Sequence, residues 1–358
     1  MTVYNFCAGP AMLPKEVMVR AQEEFREWNG TGCSVMELSH RSKEFIAVYE
    51  SAIASVKALY NLSDEYSVLF MHGGGRGQFA AVPLNLMKGY PANYVTTGAW
   101  SNSAVQEAEK FGTVHAQNVC LEQAGVKSVR PMSEWQVAKD ASYLHYCPNE
   151  TVDGIEIFEE PNFNAPVVAD MSSNIFSREI DVTRYDVIYA GAQKNIGPSG
   201  LSLVMIKKEL LERSKDSIPA IFNYKLAHEN DSMYNTPPTY AIYLAKLVFD
   251  WLQEKGGVKA QESLNIEKAQ MLYRTIDQSD FYSNQIAEQN RSRMNVPFSL
   301  ANEELNGQFL SQAEEHGLVA LKGHRMVGGM RASIYNAMPI EGVQALVDYM
   351  QEFERTHG

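Results

Sequence analysis

Apolar positions along the chain follow two periods. Between residues 43 and 60, Phe45, Tyr49, Ala52, Ile53, Val56, Leu59 and Tyr60 recur at helical spacing, which predicts an amphipathic helix. The same period runs through TYAIYLAKLVFDWLQEKGG, where Tyr240, Tyr243, Leu244, Leu247, Val248 and Trp251 share a face. PKEVMVRAQEEFREWNG predicts another helix, with Pro14 near its first turn and Asn29-Gly30 at its end. Other stretches are short and largely apolar: YSVLFMH, NYVTTGAW, ASYLHYC, APVVADMSS, DVIYAGAQ and LSLVMIK. These predict strands. They alternate with helical segments such as SNSAVQEAEKFG, which points to an α/β domain around a mainly parallel sheet.

After Gly256-Gly257 the texture changes. Helical segments surround a few strands, RMNVPFSL and GMRASIYN among them, and the chain closes with the helical EGVQALVDYMQEFERT. This half predicts a smaller α+β domain. The expected division is a large domain over 16–256 and a small one made of an extended arm, 1–15, with 257–358.

Composition narrows the partners. A chain of 358 residues allows about two domains. Its formal net charge of −12 argues against nucleic acid or an anionic membrane as the main partner, since both need a basic surface. No run approaches the ~18 apolar residues of a membrane span, and MTVYNFCAGPAMLP lacks the pattern of a secretory signal. Cysteines at 7, 33, 120 and 147 form no CxxC, so free thiols in a reducing cytoplasm are expected. Neither HxxxH nor HExxH occurs, so no metal site is expected.

Three features carry candidate chemistry. HGGGRGQF, residues 72–79, follows a predicted strand and enters a helix. That arrangement presents backbone N–H groups to an anion. It lacks both the P-loop pattern and GxGxxG, because Gln78 stands where a third glycine would be needed. Asp170 ends the apolar run VVAD; it reads as a helix cap or as a ligand group at a strand end. Lys194 lies 24 residues later, between two buried-looking runs. A lysine there is costly unless paired or chemically employed.

Pyridoxal phosphate asks for such a set. It needs an amine for its aldehyde, an acid beside its ring nitrogen, a cradle for its phosphate and a flat side chain against its ring. Lys194, Asp170, Gly75-Arg76 and Trp100 supply candidates, with Trp100 read as the end of the strand-like NYVTTGAW. Cationic groups also sit beside turns: His40-Arg41 in SHRS, Arg291 and Arg293 in NRSRMN, and His324, Arg325 and Arg331 in KGHRMVGGMRAS. In an acidic chain they point to an anionic substrate, although ordinary solvated charge explains part of them.

With NFCAGPA, SHR, HGGGRGQF, HYCPNETVDG, AGAQKNIGP, SMYNTPPT, NRSRMNVPF and GMRASIYNAM assembled, the chain resembles the phosphoserine aminotransferases over essentially its whole length. These are pyridoxal-phosphate enzymes of fold type I in the class V aminotransferase group. The resemblance implies a seven-stranded-type sheet flanked by helices and a homodimer with shared active sites. It implies transfer of the amino group of L-glutamate to a phosphorylated 2-oxo acid, 3-phosphohydroxypyruvate, in serine biosynthesis. Bacterial relatives also act on a four-carbon phosphorylated analogue in vitamin B6 synthesis. Carried onto this chain, the resemblance makes Lys194 the covalent anchor, Asp170 the partner of the ring nitrogen and Trp100 the stacking ring. Thr151 would contact the cofactor's phenolic oxygen region. Gly75, Arg76 and Gln193 would bind its phosphate, with Asn235 and Thr236 reaching it from the partner subunit. Arg331 would grip the substrate α-carboxylate, and His40, Arg41 and His324 its distal anion. Ala8 stands where some relatives carry serine, which removes one hydroxyl contact.

Two other readings compete. A pyridoxal-phosphate lyase or cysteine desulfurase would need a catalytic cysteine near the second domain, and all four cysteines precede residue 150. A non-catalytic scaffold would have no use for a reactive lysine.

Overall fold

The structure is a computed structural model that describes residues 2–358. Its centre is a seven-stranded sheet. In spatial order the strands are Tyr66–His72, Leu201–Lys207, Val187–Gly191, Val167–Asp170, Leu144–Tyr146, Ala92–Thr96 and Val114–Asn118. Leu201–Lys207 is antiparallel to both its neighbours, and every other pair of the remaining series is parallel. Reversing twice leaves Tyr66–His72 parallel to Val187–Gly191. Six strands therefore bring their C-terminal ends to one edge. Such edges are where open α/β sheets hold ligands.

The sheet separates two cores. Alternate residues face opposite ways, as the period of a strand requires. Val167, Ala169, Ile188, Ala190, Leu203 and Met205 belong to one buried cluster. Val168, Val187, Tyr189, Val204 and Ile206 belong to the other. Two helices, α1 (Lys15–Glu23) and α2 (Lys43–Tyr60), cover the first face together with Thr239–Glu254. α3 (Gly74–Leu86) and α4 (Ala99–Ala108) cover the second. A third cluster lies in the C-terminal part, around the strands Tyr282–Ser283, Asn295–Leu300 and Met330–Ser333 and the helix Ile340–His357. Phe6 belongs to it, and the arm pairs in parallel there, Tyr4–Asn5 with Leu318–Val319.

Three expectations need correction. α1 ends at Glu23, not at Asn29-Gly30. The chain leaves the helix to pack Trp28 on the first core and closes a turn in which the Trp28 N–H donates to the Cys33 carbonyl (2.9 Å). Trp100 does not end a strand: the strand stops at Thr96, and Trp100 stands in the first turn of α4. The glycine-rich stretch is less a turn before a helix than the helix's own first turn, since α3 begins at Gly74. Among the described residues, no helix is long and apolar enough to cross a membrane.

Candidate active site

The strand ends open onto a cavity of about 230 Å³. Gly75, Arg76, Trp100, Asp170, Gln193 and Lys194 all line it. Each arrives for a local reason. Val187–Gly191 is buried throughout, then turns, so Lys194 leaves the sheet at its edge. Gly191 lies so close to α3 that an added Cβ would come within 2.7 Å of the Gly75 nitrogen. The first turn of α3 is therefore pressed beside Lys194. No side chain caps α3, which leaves first-turn N–H groups for an anion.

Lys194 is half-buried. Its Nζ donates to Thr151 Oγ1 (2.5 Å) and stands 5.1 Å from the centre of the Trp100 ring. Desolvation pulls its pKa down to about 8, against the opposing pull of the Asp170 and Glu150 charges. Asp170 is 6% exposed. Burial pushes its pKa up, and the Ser172 hydroxyl and the Lys194 charge pull it back. Ser172 donates to Asp170 Oδ1 from both Oγ (2.5 Å) and N (2.9 Å). Lys194 Nζ thus donates to Thr151, and Asp170 Oδ1 is taken by Ser172, while the two charges still act on each other. Behind the acid, His145 Nε2 meets the Tyr189 hydroxyl at 2.8 Å, and burial drops the His145 pKa to about 3.

A second group lies beside this one. Arg331 Nη1 donates to the Thr151 carbonyl (3.3 Å), while its buried Nε has no partner. Desolvation lowers its pKa. A guanidinium in that state is ready for a carboxylate. The arm closes over the same corner: the Ala11 N–H donates to the Gln193 carbonyl (2.8 Å) and the Tyr335 hydroxyl to that of Ala8 (2.7 Å).

The other expected residues do not line this cavity. His40 and His324 are half-buried; Arg41, Asn235 and Thr236 are exposed. Asn235 Nδ2 comes within 3.4 Å of His72 Nε2, outside the glycine turn. Arg291 and Arg293 are ordinary ion-paired groups, with Asp277 (2.6 Å) and Glu262 (2.9 Å). They line a roomier cleft of about 710 Å³, whose third arginine, Arg274, is exposed and donates to the Gln270 carbonyl (3.3 Å).

A model of the class-V aminotransferases matches residues 3–346. The chain belongs to the class-V aminotransferase family. Within that family, the phosphoserine aminotransferase of Pseudoalteromonas translucida (strain TAC 125) is 59% identical over 357 residues, covering 99% of each chain. Among solved class-V structures, the phosphoserine aminotransferase of Bacillus circulans subsp. alkalophilus has a TM-score of 0.95 at 41% identity, covering 100% of this chain and 99% of the other. A phosphoserine aminotransferase from Trichomonas vaginalis, bound to pyridoxal phosphate, has a TM-score of 0.92 at 39% identity and covers 98% and 100%.

Two site residues escaped the sequence reading. Glu150 and Asp153 accept hydrogen bonds from the first turn of α4 (2.8–3.1 Å). The signal was present in NETVDG, where two acids flank Thr151 in a turn. Their partners lie about fifty residues upstream, so no local pattern exposed the contact.

Proposed function

We propose that this chain is a pyridoxal-phosphate-dependent phosphoserine aminotransferase. It moves the amino group of L-glutamate to 3-phosphohydroxypyruvate, giving O-phospho-L-serine and 2-oxoglutarate. The observation that carries the reading is a desolvated lysine and a buried aspartate lining one cavity, the amine bonded to Thr151 and the acid to Ser172.

The residues fit the cofactor. Lys194 Nζ can hold its aldehyde, and Asp170 can keep its ring nitrogen protonated. The uncapped first turn of α3, with Arg76, suits its phosphate. Trp100 offers a ring face, with the Arg76 guanidinium 5.3 Å and Lys194 Nζ 5.1 Å from its centre. When bound, the cofactor supplies an aldehyde that takes up amines and a protonated ring that takes up electrons released at carbon. The chain supplies the rest. Lys194 Nζ takes the substrate Cα proton; near a pKa of about 8, roughly one amine in ten is already neutral at pH 7. Thr151 Oγ1 holds that Nζ on the cavity side. Arg331 receives the α-carboxylate and fixes which Cα bond faces Lys194. Gln193 adds a donor at the phosphate end.

His40 and Arg41, His324, Asn235 and Thr236 complete the reading from outside the chain's own cavity. Exposure of Arg41, Asn235 and Thr236 favours their use by a second copy in a homodimer. Division of the chain into 16–256 against 1–15 with 257–358 is part of the same reading, as is a cytoplasmic setting. The arm's Phe6 packing with the C-terminal core supports the division.

The test is turnover of glutamate with 3-phosphohydroxypyruvate beside unphosphorylated hydroxypyruvate. A preference of at least about a hundredfold for the phosphorylated acid is expected, because several cationic donors would be left unpaired without the phosphate. Equal rates would remove the phosphate-reading role. A protein that neither yellows with pyridoxal phosphate nor is trapped by borohydride would remove the enzyme.

A further inference from the structure

The turn 149–154 touches three of the groups the proposed reaction uses, Trp100, Lys194 and Arg331. Glu150 is fully buried. Its Oε2 accepts the Trp100 N–H (3.0 Å), and its Oε1 accepts the Ser101 N–H (2.8 Å) and Ser101 hydroxyl (2.5 Å). Asp153 Oδ2 accepts the Ala99 N–H (3.1 Å). Three successive first-turn N–H groups of α4 are thus held by two carboxylates from a distant turn. Such a cap also meets the positive end of the helix dipole.

The contact is tight. A Cβ on Gly98 would fall 2.3 Å from Asp153 Oδ2 and 2.8 Å from Glu150 Cδ. The turn itself is fixed from behind. Gly154 has φ +73° and lies against Pro297, where a Cβ would meet Cδ at 2.3 Å. Asn149 Nδ2 donates to Ser173 Oγ (2.8 Å) and Asn295 Oδ1 (2.9 Å). Thr151 lies between the two acids, accepting from Lys194 through its hydroxyl and from Arg331 through its carbonyl.

We propose that Glu150, aided by Asp153, is a positioning residue that sets the Trp100 indole against the cofactor ring by holding the start of α4. This rests on the cofactor reading above for its consequence, but the positioning itself does not need cofactor. Glutamine at 150 keeps one acceptor and turns an N–H₂ toward a backbone N–H, so the first turn must shift.

The experiment uses full-length protein labelled with 5-fluorotryptophan. The chain has four tryptophans, and Trp100→Phe identifies the Trp100 resonance by its loss. In cofactor-free protein, Glu150→Gln is expected to shift or broaden the Trp100 resonance and leave those of Trp28, Trp135 and Trp251 in place. An unmoved Trp100 resonance overturns the proposal. If Glu150→Gln does not fold, Asp153→Asn carries the same comparison with the same two outcomes. With pyridoxal phosphate bound, and at a pH above the value of about 7 to which burial raises the Glu150 carboxyl, Glu150→Gln should release it at least about tenfold faster, the loss of one charge-assisted hydrogen bond. That increase should shrink in the Trp100→Phe background. Effects that multiply independently overturn the link to Trp100. Should the wild type take up no cofactor, the functional reading falls, and the fluorine spectrum still decides the positioning.

Discussion

The inner wall of the cavity and its proposed outer rim are built to different rules. On the wall Asp170 is buried, as are Glu150 and Thr151, which hold the lining residues Trp100 and Lys194 from behind, and each of the three is tied to neighbours at 2.5–3.0 Å. All come from strand ends or turns within one chain. The rim, in the proposed reading, is made of Arg41, Asn235 and Thr236, which are exposed, and of His40 and His324, which are half-buried. Proton transfer needs atoms fixed within a fraction of an ångström. Recognition of a charged end needs only cations that can be brought close, and long-range attraction assists them. One site that must accept both the glutamate carboxylate and a phosphate gains from the looser rim.

Lys194→Ala breaks the wall at its centre and has the largest expected effect. On the proposed reading the covalent anchor and the base are lost together, so turnover should fall by about 10⁴-fold or more, with the circular dichroism of the fold retained. Steady-state rates against the wild type measure this. Sustained multiple turnover by the variant would show that another amine does the work.

The same contrast decides what sequence could reveal. Continuous apolar runs such as VIYAG and LSLVMI announced the central strands, because strands covered on both faces need no polar alternation. Lys194 and Asp170 stood out because a charge at the end of such a run demands a reason. Trp100 was misplaced because the N-cap, Gly98, has no side chain to cap with, and the local help comes only from Ser101 Oγ, which accepts the Thr97 (2.9 Å) and Gly98 (3.1 Å) N–H groups. The acids that start α4 come from Glu150 and Asp153, and a cap supplied across space leaves no mark beside the helix. α1 was drawn too long for a related reason: Asn29 and Gly30 do adopt positive φ, but in a later turn that seats Trp28. Of the rim, only residue type was legible, and Arg291 and Arg293 resembled the substrate cations until Asp277 and Glu262 claimed them.

Mixing two inactive variants sharpens the difference between wall and rim. Arg41→Ala damages the rim and Lys194→Ala the wall. If the rim of each site is supplied by a second copy, a mixed dimer keeps one site with both groups intact. Random reassortment of equal amounts should then restore about a quarter of wild-type activity. Activity that never exceeds the sum of the two separate variants would mean that Arg41 serves its own chain.

The smallest expected effect reads the wall through its electrostatics. Burial holds the Lys194 pKa near 8 in the folded protein, against an ordinary value of 10.5. Below about 8 the amine is charged in both folded and unfolded states, and the folded state bears the whole desolvation penalty. Between about 8 and 10.5 the unfolded chain binds more protons, so stability rises with pH. Above that window the gain is complete. The cofactor-free protein should therefore gain on the order of 2 kcal/mol across it relative to Lys194→Met, after allowance for the partial exposure of the amine. Urea midpoints of the two proteins between pH 7 and about 10 measure the difference. Parallel curves would mean that the cavity solvates the amine well enough to leave it an ordinary lysine. That outcome would take away the near-neutral base on which the wall's chemistry depends, while leaving the rim untouched.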